Sequence, residues 1–433
     1  LFEAARPIPK PVVPAGDSQT MMDRPELTDR LALALLAAML WACGPRPADR
    51  SEPTSGDAGD LLSAQAYELA QRTLILDTHI DTPMQLQRRP RDLTRYGPGE
   101  FDYPKARQGG LDTAFMSIYV PASYQAGGAR EVADRLIDLV ESWEQTWPDH
   151  FRIVRGPQEV EAAFGSGRIG LAMGIENGAA VETDLALLRH FRDRGVAYIT
   201  LTHSRWNQIC DSSYDPERRW GGLSPFGREV VAEMNRLGIM VDISHLSDEA
   251  AAQAIELSRT PVIASHSSSR RFTPGWERNL SDELVRDLAG RGGVVQVNFG
   301  GPFLDDSYRK AAEPRHRELM VWLRQSGTPE GDPRVDAYRR ELEQRYPLPS
   351  IFVSAVADHI DHLVQIAGVD HVGFGSDFDG VDGELPQDLR DVSQYPNLLR
   401  ELLRRGYSEE QIGKMASGNL LRVWRQVRAA ALE

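Results

Sequence analysis

The chain is poor in cysteine, short of basic charge, and without a long apolar run. Only Cys43 and Cys210 occur among its 433 residues. That excludes a disulfide scaffold and a Cys-rich zinc site, so any metal must be held by histidine and carboxylate. Acidic residues outnumber basic ones 63 to 49, for a net charge of −14. A nucleic-acid binder needs a basic face, so no nucleic acid is expected as a partner. The longest apolar run, Leu31–Ala42, is too short to span a bilayer. No repeat of fixed period and no dinucleotide-type glycine loop is present.

The apolar run instead suits a signal-peptide core, with Arg24 and Arg30 before it and Cys43-Gly44 after it. Leu40-Trp41-Ala42-Cys43 resembles a bacterial lipobox, whose cysteine is acylated. Residues 1–60 are therefore expected to be a signal region and flexible tether, with the Pro-rich stretch before Met21 an over-extension of the reading frame. The protein is expected to be exported to the cell envelope, touching the membrane only through a lipid anchor at Cys43.

Residues 61–433 read as one catalytic domain. Eight β-rich runs alternate with helical patterns: Thr73–Asp81, Leu111–Val120, Ile169–Glu176, Ala197–His203, Ile239–His245, Pro261–His266, Gly293–Phe299 and His371–Asp377. Ser224-Pro225 opens one helix and Gly238 stops it. This alternation predicts an α/β fold, a (β/α)8 TIM barrel of the metal-dependent hydrolase type. A charged, partly helical insertion at about 303–349 reads as a solvated segment or subunit contact.

Chemistry in such barrels sits at the C-terminal ends of the strands. Those ends present His79 and Asp81, Glu176, His203, His245, His266 and Asp377. His79 and Asp81 are two apart, so one strand tip points both the same way. Histidines and carboxylates suit borderline divalent ions, zinc first. The set is too large for a single open four-coordinate site. Two ions sharing one carboxylate, about 3.5–4 Å apart, fit better and would activate water against a carbonyl or phosphoryl centre.

The motifs DTHID, GIENG, LTHS, GLSPFGREVVAEMNRLGIMVDISHLS, PVIASHSS, GFGSDFDG and GNLLRVW resemble the membrane (renal-type) dipeptidase family over nearly all of residues 74–424. GLSPFG and GSDFDG are specific; HxD alone is shared by many amidohydrolases. The resemblance implies a zinc dipeptidase with two Zn2+ per subunit, a small dipeptide substrate and a homodimer. It implies that His79 and Asp81 bind the first zinc, Glu176 bridges, and His245 and His266 bind the second. It makes Asp377 a contact of the first zinc and the proton-transfer carboxylate, and has a hydroxide held between the ions attack the scissile carbonyl. His203 becomes the oxyanion donor, and Arg278 of Arg278-Asn279 the clamp on the substrate's C-terminal carboxylate, with Arg270 and Arg271 as competitors. Tolerance of D-residues and β-lactam opening come only with the resemblance.

Other features compete. Asp358-His359 and Asp361-His362 look like a metal cluster but fall on a helix before the eighth strand, which favours surface or capping roles. Asp77 and Asp379 are expected to support the site from behind. Cys210 is placed near the pocket mouth as a free thiol, and Trp206, Trp220 and Trp276 are available as pocket walls. Alternative readings are another amidohydrolase, acting on acyl-amino acids, lactones, phosphotriesters or β-lactams, and a non-catalytic surface lipoprotein. Against the first stands Glu176, at a position where relatives often carry a carbamylated lysine.

Overall fold

The computed structural model describes residues 55–328 and 332–431, with side chains from residue 61 onward. Cys43 and the lipobox-like stretch lie outside the described residues. Among the described residues no helix is long and apolar enough to cross a membrane.

Strand β1 (Ile75–Ile80), β2 (Leu111–Tyr119), β3 (Phe151–Ile153) and β4 (Ile169–Glu176) are followed by β5 (Val196–Thr200), β6 (Met240–Asp242), β7 (Ile263–Ala264), β8 (Val294–Val297) and β9 (Val372–Phe374). All pair in parallel, in the order β1-β2-β4-β5-β6-β7-β8-β9, with β3 paired only to β4. Helices between the strands cover the outside, so the strands are buried on both faces and read as continuous apolar runs. The result is a nearly closed (β/α)8 barrel.

Closure falls between β1 and the segment after β9. Asp377 N donates to His79 O at 3.0 Å, and Asp81 N to Phe378 O at 2.8 Å. Asp77 reinforces the seam from below: its Oδ1 accepts from His79 N and Ser376 N, each at 3.0 Å, and its Oδ2 accepts from the Tyr395 hydroxyl. Leu76, Phe115, Ala172, Tyr198, Met240, Ile263 and Val294, one from each of seven strands, meet in the interior and rest on Trp424.

The helix expected after Ser224 is Pro225–Leu237; Ser224 caps it from its side chain and Gly238, at φ 71°, ends it in the left-handed region where glycine is unstrained. Several strands are shorter than expected. The runs thought to reach His245, His266 and Asp377 stop at Asp242, Ala264 and Phe374. The chain leaves the ladder early because His245 (φ 72°) and Asp377 (φ 64°) adopt left-handed backbone that no strand holds. The charged insertion forms two helices, Asp306–Ser326 and Pro333–Arg345, which share a small core of Leu319, Val335 and Leu342. It is more than a solvated segment, because one face of its first helix lines the cleft that opens over the strand-end residues.

Candidate metal centre

Four histidines and three carboxylates from six barrel units converge within and just beyond the C-terminal strand ends. His79 and Glu176 lie in β1 and β4, Asp81 one residue past β1, and the others on loops that follow their strands. Three overlapping sets bring ligand atoms together: His79, Glu176 and His266; Glu176, His203 and His245; His79, Asp81 and Asp377.

Glu176 sits at the middle. Its Oε2 is 3.4 Å from His79 Nε2 and accepts from Ser117 Oγ at 3.0 Å. Its Oε1 is 3.0 Å from His245 Nε2, 3.4 Å from His203 Nε2 and 3.5 Å from His266 Nε2. His79 Nε2 also stands 3.4 Å from Asp81 Oδ2.

The hydrogen-bond network assigns the tautomers. Tyr198 OH donates to Thr78 O at 2.9 Å, so at its 2.8 Å contact with His79 Nδ1 it must accept. Nδ1 therefore carries the hydrogen and Nε2 is left as a buried lone pair without a hydrogen-bond partner, facing carboxylate oxygens. His266 repeats the device. Ser265 Oγ donates to Asp242 Oδ2 at 2.6 Å and accepts from His266 Nδ1 at 2.8 Å, which turns the Nε2 lone pair toward His245 Nε2 at 2.8 Å and Glu176 Oε1 at 3.5 Å. A lone pair opposite anionic oxygens is repulsive unless a cation stands between them. The donor set thus fits divalent metal.

Electrostatics agree. Burial works to lower the His79 imidazole, but Tyr198, Glu176 and Asp81 together push it well above its ordinary range; the slot demands positive charge. Burial, helped by Arg278, holds His245 well below its usual value, and burial with the neighbouring His79 does the same for His266. Both rings stay neutral and ready to ligate. Burial pushes Asp377 well above the carboxylate range, the charge of Asp81 adding to it. Asn298 Nδ2 donates to Asp377 Oδ2 at 2.7 Å. Gly380 is required beside them: a Cβ there would lie 2.3 Å from Asp81 Oδ2 and 2.4 Å from Asp377 Oδ1.

Arg278 is fully buried beside this centre rather than on the cleft wall. Its Nη1 donates to Ser267 Oγ at 2.7 Å and its Nη2 to His266 O at 2.8 Å, with Nη2 also 3.1 Å from His245 Nε2. Its Nε has no protein partner. Arg270 is committed elsewhere, to Asp248 through both terminal nitrogens at 2.6 and 2.5 Å. Asp379 accepts from Thr82 Oγ1 at 2.6 Å and Glu100 N at 2.8 Å, which bolsters the Asp81 helix start from behind.

Other expectations change. His359 is buried, not at the surface: its Nδ1 accepts from Ser269 N at 3.0 Å and its Nε2 donates to Leu304 O at 3.1 Å. His362 binds Asp282 at 2.8 Å, and Asp358 and Asp361 both bind Arg405. Cys210 is a free thiol, as expected, but it is buried and does not line the cleft. Trp276 does line the cleft, but Trp206 and Trp220 line a separate surface cavity and stack against Arg219. Tyr198, Asp242 and Asn298 were missed. Asp242 had a signal, since it precedes His245 on the same apolar run much as Asp77 precedes His79; Tyr198 and Asn298 had none, being isolated polar residues on other strands.

The cleft, of about 740 Å³, is lined by Asp81, Glu176, His203, His245 and Asp377 at its floor and by Tyr119, Tyr214, Trp276 and Phe303 around them. A barrel with this floor belongs to the metal-dependent hydrolases. More narrowly, the chain belongs to the membrane dipeptidase family, peptidase family M19, whose model matches residues 63–433. It is 32% identical over 398 residues to an uncharacterized dipeptidase of Schizosaccharomyces pombe, covering 86% of this chain and 85% of that one. It is 32% identical to dipeptidase 3 of Rattus norvegicus, covering 84% of this chain and 67% of that one. Among solved structures it superimposes on the probable dipeptidase PvdM of Pseudomonas aeruginosa with a TM-score of 0.74 at 27% identity, over 86% of this chain and 100% of that one. It also matches a metallo peptidase of Rhodobacter sphaeroides, solved with a phosphinate mimic of the dipeptide L-Ala-D-Ala, with a TM-score of 0.67 at 26% identity, over 82% and 99%. The family and the converging donors together make the chain a metal-dependent dipeptidase.

Proposed function

We propose that the chain is a binuclear zinc dipeptidase that cleaves dipeptides with a free C-terminal carboxylate, including those ending in a D-residue. The observation that carries this reading is the shared Glu176 carboxylate, with Oε2 turned to His79 and Oε1 turned to His245 and His266. One cation would be held by His79, Asp81 and Glu176 with Asp377 beside it, the other by Glu176, His245 and His266. Nitrogen and oxygen donors of this kind favour zinc. When bound, the ions would polarise the scissile carbonyl and lower the pKa of the attacking water.

The protein's own groups supply the remaining steps. Asn298 pins Asp377 Oδ2, which leaves Oδ1 to accept a proton and pass it to the leaving amine. His203 lines the cleft, and burial holds it below its usual value, so a neutral imidazole offers one N–H to the oxygen that becomes negative. Arg278, buried behind His245 with Nη1 and Nη2 held by Ser267 and His266, is the guanidinium proposed for the substrate carboxylate, through its unengaged Nε. The Rhodobacter relative with its L-Ala-D-Ala mimic supports acceptance of a D-residue. The leader supports an exported chain anchored through acylated Cys43, and the family resemblance supports a homodimer.

Hydrolysis of L,L and L,D dipeptides, each also as its C-terminal amide, tests the reading, with chelation and zinc restoration. Zinc-dependent cleavage of the free acids alone is expected. Equal cleavage of the amides would remove the Arg278 clamp, and no cleavage at all with two zincs bound would overturn the dipeptidase. Cys43→Ser is expected to move the protein from membrane to soluble fractions.

A further inference from the structure

The cleft is larger than a dipeptide needs, and its extra length has a composition. Helix Asp306–Ser326 turns Arg309, Glu313, His316, Met320 and Leu323 toward it. Their alternating steps of about four and three residues put them on one helix face. At a rise of about 1.5 Å per residue the stripe is about 21 Å long, whereas an extended dipeptide spans about 7 Å.

The charged groups on this wall are already matched. Arg309 pairs with Asp306 at 2.7 Å, Arg317 with Glu313 at 2.5 Å, His316 with Glu384 at 3.0 Å, and Arg339 with Asp382. None of these calls for an ionic group on a ligand. Met320 is different: it is 53% exposed, a large apolar side chain on the cleft side of the helix. Leu323 lies one turn beyond it and is half-buried.

Orientation follows from the floor. A substrate with its carboxylate at Arg278, beside His245 and His266, has its amino end toward Asp81 and Asp377. Met84 and Val381 line the cleft on that side. The insertion is tied to the same side, through Arg89 to Asp336 at 2.6 Å and His316 to Glu384.

We infer that the preferred substrate carries a long apolar side chain on its N-terminal residue, and that Met320 and Leu323 are the specificity-determining contacts for its far end. The inference rests on the dipeptidase reading and names its substrate class.

The test is a series Xaa-D-Ala with Xaa alanine, leucine, phenylalanine and 2-aminooctanoic acid, measured on the zinc-loaded full chain. In the wild type, kcat/KM is expected to rise at least about tenfold from alanine to aminooctanoate, the scale of a few methylenes in an apolar pocket. Met320→Glu and Leu323→Glu are expected to collapse that ratio within each variant, and Met320→Leu to keep it. The ratio is read inside one protein, so a change in folded fraction cancels. A flat wild-type series with good cleavage of Ala-D-Ala would overturn this inference alone, as would a ratio unchanged in Met320→Glu. Failure to cleave any member would overturn the dipeptidase reading beneath it.

Discussion

Two clusters of histidine and aspartate in this chain look alike on paper and differ in one physical respect. The helix pair Asp358-His359 and Asp361-His362 is the denser motif, yet every member is engaged by protein: His359 by Ser269 N and Leu304 O, His362 by Asp282, both aspartates by Arg405. The strand-end cluster is scattered over the chain, yet His79 and His266 are each turned by a hydroxyl so that a nitrogen lone pair meets carboxylate oxygen. A metal site is marked by acceptors left facing one another, not by density of ligand types.

The largest test of that contrast is Glu176→Gln. Removing the shared charge takes a ligand from both donor sets, so bound metal and hydrolysis are both expected to fall to background, read by metal analysis beside kcat/KM. Next is Tyr198→Phe, which deletes the acceptor that fixes the His79 tautomer while keeping the ring against Phe115. Metal affinity is expected to weaken by about 10–100-fold, measured by competition with a chelator, with the fold intact. Unchanged affinity would mean the ring is oriented by packing alone.

His359→Gln addresses the other cluster. Metal content and kcat are expected to stay as in the wild type, while stability falls by about 1–3 kcal/mol from the lost buried bonds, read by urea unfolding. A fall in metal content would erase the distinction. The same residue carries an effect of pH. Burial pushes His359 down to about 4 from an ordinary 6.5. Between those values the unfolded chain binds more protons than the folded one, so stability rises with pH through that window. Stability held above pH 6.5 is therefore lost as pH falls toward 4, by up to about 3 kcal/mol at about 1.36 kcal/mol per unit. His359→Gln is expected to flatten that part of the profile, and an unaltered slope would place the titration elsewhere.

The barrel was legible because strands buried on both faces must be apolar throughout, and eight such runs stood between helical patterns. The strand-end residues His79, Glu176 and Asp377 were legible for the related reason that a charge closing an apolar run needs a cause. Strand ends were misjudged at His245 and Asp377 because alternation in sequence cannot report a left-handed φ, and at His266 because a two-residue strand, Ile263–Ala264, has no alternation to read. The short β3 escaped notice because a three-residue strand has too little pattern to separate from a turn. The role of the insertion was invisible for a different reason. A helix with charge on most positions reads as solvated, and only its placement over the cleft shows that the exposed Met320 borders it. Tyr198 and Asn298 act across the barrel, on His79 and Asp377 many residues away, and such pairings belong to the fold.

The central claim, two cations sharing Glu176 for peptide hydrolysis, is tested most directly by titrating metal-free protein with Zn2+ while following cleavage of Gly-D-Ala. The account predicts that two equivalents bind, that activity completes only with the second, and that Glu176→Gln binds neither tightly. Full activity at one equivalent, or two bound equivalents without turnover, would contradict it.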